Sequence, residues 1–299
     1  MLSSLAAVAL AFLLDAAFSE PPARAHPVAY YGRVVTALDR QWRAPRLVGG
    51  SIALTLPLVA AALAALTVFG AARVHSLLPA LLAGLWLFAT TSRRMLVDLA
   101  GDVVTGVDAG DESARTTIRG LVGRDTTELS ESELRSAAVE SAAENLADGL
   151  VAPLLAFALA APLSLAVGVA AAVWVKAVNT HDSVLGYPSK PHGTASARLD
   201  DLVMWLPARV SAGLIAAAAL DPGALTRALE WAREPPSPNS GWPMATLAAA
   251  LDVELAKPGV YALNPAAALP TTDDAERGVR LVDRACIVAF VLAGVGAWF

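Results

Sequence analysis

Twenty-seven consecutive residues, Gly149 to Val175, carry no charge, and the stretch "VESAAENLADG" leads into them with Glu140, Glu144 and Asp148 set four apart. As one straight helix the run would measure about 40 Å at 1.5 Å per residue, enough to cross a hydrocarbon core of about 30 Å. Its two polar flanks would then stand on opposite faces. Pro153 and Pro162, the second within "AAPLS" at 160–164, favour another solution, because proline interrupts a helix. Two short helices can double back as a re-entrant hairpin around a buried pocket, where irregular backbone at membrane depth is tolerated.

Uncharged runs at Ser51 to Ala72 and Val74 to Ser92 add two candidate spans, and weaker ones lie at Met1 to Leu14, Leu202 to Leu220 and Ala285 to Phe299. With 16% charged residues against about 25% in soluble domains and a mean hydropathy of +0.55, the chain reads as an all-α polytopic membrane protein. It is expected to form a single membrane-embedded domain over 1–299. The apolar N-terminus before "ARAH" resembles a signal peptide, but it has no preceding basic residue and meets Asp15 early, which fits an uncleaved span better. Arg24, Arg33, Arg40, Arg43 and Arg46, and later Arg93 and Arg94, flank the spans. By the positive-inside rule both loops face the cytoplasm of a multi-pass cell-membrane protein. A net charge of −5 argues against a nucleic-acid partner, which demands a basic surface. The single Cys286 reads as apolar filler.

Three polar segments, 101–148, 176–201 and 221–284, are expected on the cytoplasmic side. The first holds eleven acidic and four basic residues, and "SESE" at 130–133 spells a capping box that should start a helix. If that helix reaches Asp148, the three carboxylates share one stripe, where like charges repel unless something neutralises them. A solvated acidic face is one reading. The other is a hard cation such as Mg²⁺, held by a few carboxylates with substrate phosphates.

The second segment gathers Asn179, Asp182, Asp200 and Asp201, with Lys176, Arg198 and Arg209 at or near apolar sequence, where charge is expensive and tends to be functional. Arg124, in "GRDT", could grip a phosphate or carboxylate in bidentate fashion. There is no Walker sequence, paired-Cys motif or GxSxG elbow, and the four histidines lack zinc-like spacing.

Several long motifs occur together: "HPVAYYGRVV" (26–35), "ARTTIRGLVGRDTTEL" (114–129), "AAVESAAENLADGLVAPLL" (137–155), "KAVNTHDSVLGY" (176–187), "ASARLDDLVMWLPAR" (195–209) and "SPNSGWP" (237–243). In this order the chain resembles the adenosylcobinamide-phosphate synthase family of cobalamin biosynthesis along nearly its whole length. The resemblance implies an enzyme that joins a carboxyl of adenosylcobyric acid to the amine of aminopropanol or its phosphate, driven by ATP with Mg²⁺.

The expected roles follow from that chemistry, since an unactivated carboxylate is a poor electrophile and phosphoryl transfer needs its charge neutralised. Glu140, Glu144, Asp148 and Asp200 would hold Mg²⁺. Glu140, Glu144, Asp182 and Asp201 would carry catalysis, with one of Asp182, Asp200 or Asp201 as base toward the amine. Arg124, Lys176, Arg198 and Arg209 would clamp phosphates. Asn145 and Asn179 would orient substrate amides, and Asn239 and Trp242 would close over the corrinoid.

The chain departs from the family pattern at Ser19-Glu20-Pro21, Met204 and Met244, so no catalysis is expected there, and His181 after "NT" is neutral. A CDP-alcohol phosphotransferase would also line up acidic residues around a metal, but its Asp-Gly continues into Ala-Arg, whereas Asp148 and Gly149 continue into "LVAP". A non-enzymatic transporter would tolerate intramembrane charge but should show repeat symmetry, which is absent.

Overall fold

The computed structural model describes residues 2–110, 116–118, 126 and 128–298. The chain is almost entirely helical, with one pair of three-residue strands. Where the sequence reads as one domain, the Cα positions group into two compact units. One comprises Met1–Ser92, Asp148–Met204 and Ala289–Phe299, the other Arg93–Ala147 and Trp205–Val288.

The first unit contains α1 (Leu2–Phe18), α2 (Pro27–Ala37), α3 (Pro45–Ala71), α4 (Leu78–Thr90), a π-helical turn (Ala147–Val151), α7 (Ala152–Ala160), α8 (Leu165–Leu185) and α9 (Thr194–Val203). Between them in sequence come α5 (Arg93–Asp108) and α6 (Glu131–Leu146) of the second unit. Helix α8 is the hub of the first unit, packing against α2, α3, α4, α7 and α9.

The side-chain pattern of α3 is compatible with a lipid-facing helix. Its buried stripe is Gly49, Ala53, Pro57, Ala61, Ala64, Val68 and Ala71, whereas Leu54, Leu58, Val59, Leu63, Leu66 and Phe69 are all more than half exposed. Small residues at the helix contacts and large apolar ones outside invert the soluble pattern, and they suit a helix whose neighbour is lipid. Helix α3 and the helical stretch Glu131–Ala160 are long and apolar enough to cross a membrane, and the bent pair α9 with the following helix makes a third candidate. The expected span at Val74 to Ser92 is shorter than foreseen. Residues 72–77 form turns and α4 holds 13 residues, about 20 Å of helix, too short to cross alone.

The uncharged run 149–175 breaks where its prolines allow. Pro153 lies in the first turn of α7, which continues directly from the π turn, and the break comes at Pro162. The chain turns at residues 161–164, and Ser164 caps α8 by accepting from the Val167 amide at 3.2 Å. Gly168 permits the close return: an added Cβ would stand 3.0 Å from Ala161 and Phe157. The α7–α8 pair is therefore a helical hairpin, as the prolines predict. In the polar segment after it, α8 continues as helix through Leu185, and the turns that Gly186, Pro188, Pro191 and Gly193 predict follow at 186–193.

In the second unit, α5 buries Leu96, Ala100, Val103, Val104 and Val107, the i, i+4, i+7, i+8, i+11 spacing of one helix face, and packs on α6. The expected capping box starts α6: the Ser130 amide donates to Glu133 at 2.8 Å, and the Glu133 amide donates back to Ser130 Oγ at 3.3 Å. Later in the chain come α10 (Trp205–Ala218), α11 (Gly223–Ala228), α12 (Gly241–Leu251), β1 (Leu255–Lys257), β2 (Tyr261–Leu263) and α13 (Thr272–Gly296). Every residue of α12 but Trp242 is buried, against α6, α10, α11 and the antiparallel β1–β2 hairpin.

The turn 186–193 is held against its neighbours. Asp39 accepts from Lys190 Nζ at 2.7 Å and pairs with His192 Nε2 at 3.1 Å, and the Lys190 ammonium holds the Asp39 carboxyl below its usual range. At Gly49 an added methyl would overlap the His192 carbonyl, a backbone atom that cannot swing away. Gly49→Ala is expected to destabilise the protein by about 1–3 kcal/mol. Gly50→Ala, which meets nothing within 4 Å, should leave the thermal midpoint in detergent unchanged.

Candidate functional site

In the first unit the polar residues come together because the hairpin returns. Helix α6 is regular to Leu146, and the backbone then widens into the π turn that carries Asp148. Such single turns concentrate at functional sites. Asp148 joins the residues of α8 and α9. Asn179 Nδ2 donates to Asp148 Oδ2 at 3.1 Å and reaches Asp200 Oδ1 at 3.5 Å. One neutral amide thereby bridges two carboxylates from separate segments. A straight helix through the 149–175 run would have kept Asp148 and Asn179 about 47 Å apart.

Lys176, one turn before Asn179, is within electrostatic reach of Asp148, Asp200 and Glu20. Asp182, at the polar end of α8, is pushed up to about 6, by burial first and then by the charges of Asp201 and Asp148. Its Oδ1 is buried without a hydrogen-bond partner among the described residues. His181 is fully buried, and burial pushes its imidazole down to about 4, so it is neutral. Asp201 is half-buried and Arg198 is exposed on α9.

The second unit joins two more sequence-predicted groups. Arg209 on α10 donates to Asn239 Oδ1 and, at 3.2 Å, to the Pro238 carbonyl. Its guanidinium lies over the rings of Trp205 and Trp242, at 4.9 and 4.7 Å from their centroids, two cation–π contacts. Arg209, Asn239 and Trp242 are brought together, with the guanidinium fork turned onto the "SPNSGWP" loop.

Glu140, buried on α6, accepts from Tyr261 Oη at 2.7 Å. The strand bearing Tyr261 is positioned by its partner β1, whose Ala256 amide donates to Ser136 Oγ at 2.9 Å. Asn145 donates back to the Ser141 carbonyl and hydroxyl one turn earlier, which directs its amide along its own helix. Glu144 is half-buried on α6. Arg124 lies outside the described residues. Among the described residues no three His, Cys, Asp or Glu side chains already stand in a metal-ligating arrangement.

Sequence reasoning missed Tyr261, and no local signal marks it, since its partner is 121 positions away. It also missed Tyr31 and Glu20, although Tyr31 falls within the quoted "HPVAYYGRVV".

Cysteines placed at Asp148 and Asn179, in a chain whose Cys286 is replaced by Ala, should be joined efficiently by a short bifunctional thiol reagent. Electrophoresis after cleavage in the intervening loop reads the result. Absence of the cross-link, with both thiols reactive, would reject the hairpin.

A family model described as CobD/Cbib protein matches residues 8–288. Probable cobalamin biosynthesis protein CobD of Methanothrix thermoacetophila is 33% identical over 300 residues, covering 96% of this chain and 94% of that one. Cobalamin biosynthesis protein CobD of Pelobacter propionicus is 38% identical over 269 residues, covering 85% and 80% respectively. The protein of that name from Klebsiella pneumoniae subsp. pneumoniae is 33% identical over 326 residues, covering 99% and 98%. No solved structure matches. The motifs, the family model and relatives aligned end to end agree, and the chain belongs to the CobD/Cbib family.

Proposed function

We propose that this protein is an ATP-dependent amide ligase that joins adenosylcobyric acid to aminopropanol or its phosphate, giving adenosylcobinamide or its phosphate, at the cytoplasmic face of the cell membrane. The observation that carries the reading is the group around Asn179, where Asp148, Asp182 and Asp200 collect beside Lys176 in a chain of the CobD/Cbib family.

That donor set suits Mg²⁺, which prefers hard oxygens and is usually held by one or two carboxylates, with water and substrate phosphates completing the shell. Asp148 and Asp200 would hold it. Bound there, Mg²⁺ and ATP supply the charge neutralisation and the phosphoryl group that turn a carboxylate into an electrophile. Lys176 places a positive charge beside the same carboxylates and would balance the transferring phosphoryl group. Arg198 and Arg124 remain candidates for phosphate contact at the rim.

The chain's own chemistry is the movement of a proton. As the amine nitrogen bonds to the carbonyl carbon of the phosphorylated carboxyl, the acyl C–O bond breaks and inorganic phosphate leaves; the nitrogen must also lose a proton, which Asp182 would accept at its unpartnered Oδ1. A carboxylate raised to about 6 is ionised at neutral pH and is a better base there than an unperturbed one. Below about 6 Asp182 is protonated and cannot act, so the rate should fall as pH drops through that value. In the second unit, Arg209, Asn239 and Trp242 form a preorganised aromatic and polar patch suited to the corrinoid.

The deciding assay incubates purified protein with adenosylcobyric acid, aminopropanol phosphate, ATP and Mg²⁺ and looks for the amide by mass spectrometry. Asp148→Asn should abolish turnover while the chain remains folded by circular dichroism, and full activity would remove Asp148 from the reaction. Asp182→Asn should lower kcat by about 10²-fold or more and erase the acidic limb of the pH profile. An unchanged limb would assign the proton to another group.

A further inference from the structure

The chain has a net charge of −5, yet the loop that leads from α2 into α3 has the opposite sign. Between Glu20 and Asp98 the sequence contains a single acidic residue, Asp39, and that carboxylate is taken by Lys190 and His192 of the 186–193 turn. Arg40, Arg43 and Arg46 follow it and are all exposed. None of them forms an ion pair among the described residues. Three uncompensated guanidinium groups within seven residues of sequence repel one another, and an anion set among them would relieve that repulsion.

The surroundings select the kind of anion. The Arg40 guanidinium stands 4.2 Å from the centroid of the Trp42 ring, and that indole is tied to the loop by its N–H, which donates to the Leu38 carbonyl at 3.2 Å. The clasp through Asp39 brings in the neighbouring turn, where Lys190 lies 5.0 Å from the centroid of the exposed Tyr187 ring. Gly49, near the start of α3, meets the His192 backbone, so the loop, the turn and the beginning of α3 share one end of the first unit. Directly after Arg46 comes Leu47, 77% exposed, and Leu54 and Leu58 continue the exposed apolar surface at the i+7 and i+11 positions of one helix face. Basic residues with tryptophan and tyrosine at the end of an apolar helix face match the headgroup level of a bilayer. A soluble polyanion would satisfy the arginines and leave the leucines in water, whereas a lipid with a charged headgroup satisfies both.

We propose that Arg40, Arg43 and Arg46, flanked by Trp42 and Tyr187, bind the phosphate of an anionic phospholipid whose acyl chains lie along Leu47, Leu54 and Leu58 of α3. The planar guanidinium forks supply paired N–H donors to phosphate oxygens, and the aromatic rings stand where glycerol and the first methylenes pass from wet to dry surroundings. The Asp39 clasp keeps the one nearby carboxylate occupied, so that it does not compete with the lipid for the arginines.

The test uses the full-length protein in detergent, mixed with equal amounts of phosphatidylglycerol and phosphatidylcholine and then repurified, with the retained lipids counted by mass spectrometry. The wild type should favour phosphatidylglycerol by about fivefold or more, the effect of one basic residue near an anionic surface. The preference should shrink as salt rises from about 0.1 to about 1 M, which shortens the screening length from about 10 to about 3 Å. Arg43→Gln combined with Arg46→Gln should bring the lipid ratio to within about twofold of the mixture supplied, while the corresponding pair of lysine substitutions keeps a preference. Arg73→Gln, at the far end of α3, should leave the ratio unchanged. Because these side chains are exposed, the variants should elute and melt as the wild type does. Retention of the two lipids in the proportion supplied overturns the site, as does a preference that survives the double glutamine variant or falls equally in Arg73→Gln. Displacement of phosphatidylglycerol by millimolar inorganic phosphate would also overturn it, by assigning the arginines to a soluble anion.

Discussion

The Asn179 amide, held between Asp148 and Asp200, is the contact on which the first unit's arrangement depends. It joins the π turn, α8 and α9, three segments that meet only because the chain reverses at residues 161–164. Two carboxylates this close repel one another unless something intervenes, and burial adds a desolvation penalty to each charge. A neutral amide can donate to both, and Lys176 adds a nearby positive charge. Such a group is costly to assemble for stability alone, which is why buried titratable clusters of this kind point to function.

The surrounding helices are built to allow that assembly. Helix α3 presents alanine and glycine to its neighbours and leucine to the outside, so backbones approach closely. Close approach has local requirements. At Gly168 the hairpin returns against Ala161 and Phe157, and at Gly49 the backbone of the 186–193 turn touches α3. The second unit follows the ordinary globular scheme instead, with amphipathic α5 and a central, fully packed α12. There Arg209 meets the need of a charge near apolar surface with two tryptophan faces and two loop oxygens.

The two tyrosines that sequence reasoning passed over play opposite parts. Tyr261 spends its hydroxyl on buried Glu140, so that carboxylate already has a protein donor before any ligand arrives. Tyr31 buries its hydroxyl with no hydrogen-bond partner among the described residues. A hydroxyl group in the sequence says nothing about which of these it will be, because the answer lies in what the fold places opposite it.

Much of the architecture was legible in the sequence, because it follows from local rules. Uncharged runs give apolar helices, Ser130 with Glu133 gives a helix start, and two prolines in a 27-residue run give a break rather than a straight span. The spacing of Glu140, Glu144 and Asp148 suggested one acidic stripe; in the structure Glu140 accepts from Tyr261, whereas Asp148 lies in the π turn and accepts from Asn179, so spacing did not tell which partner each carboxylate would meet. Tertiary structure alone decided that Asp148 belongs with Asn179 and Asp200, that Arg209 turns to Asn239, and that the Tyr31 hydroxyl has no partner among the described residues. Those outcomes depend on which segments meet across distance along the chain, and neither periodicity nor spacing encodes the partner on the far side of a contact.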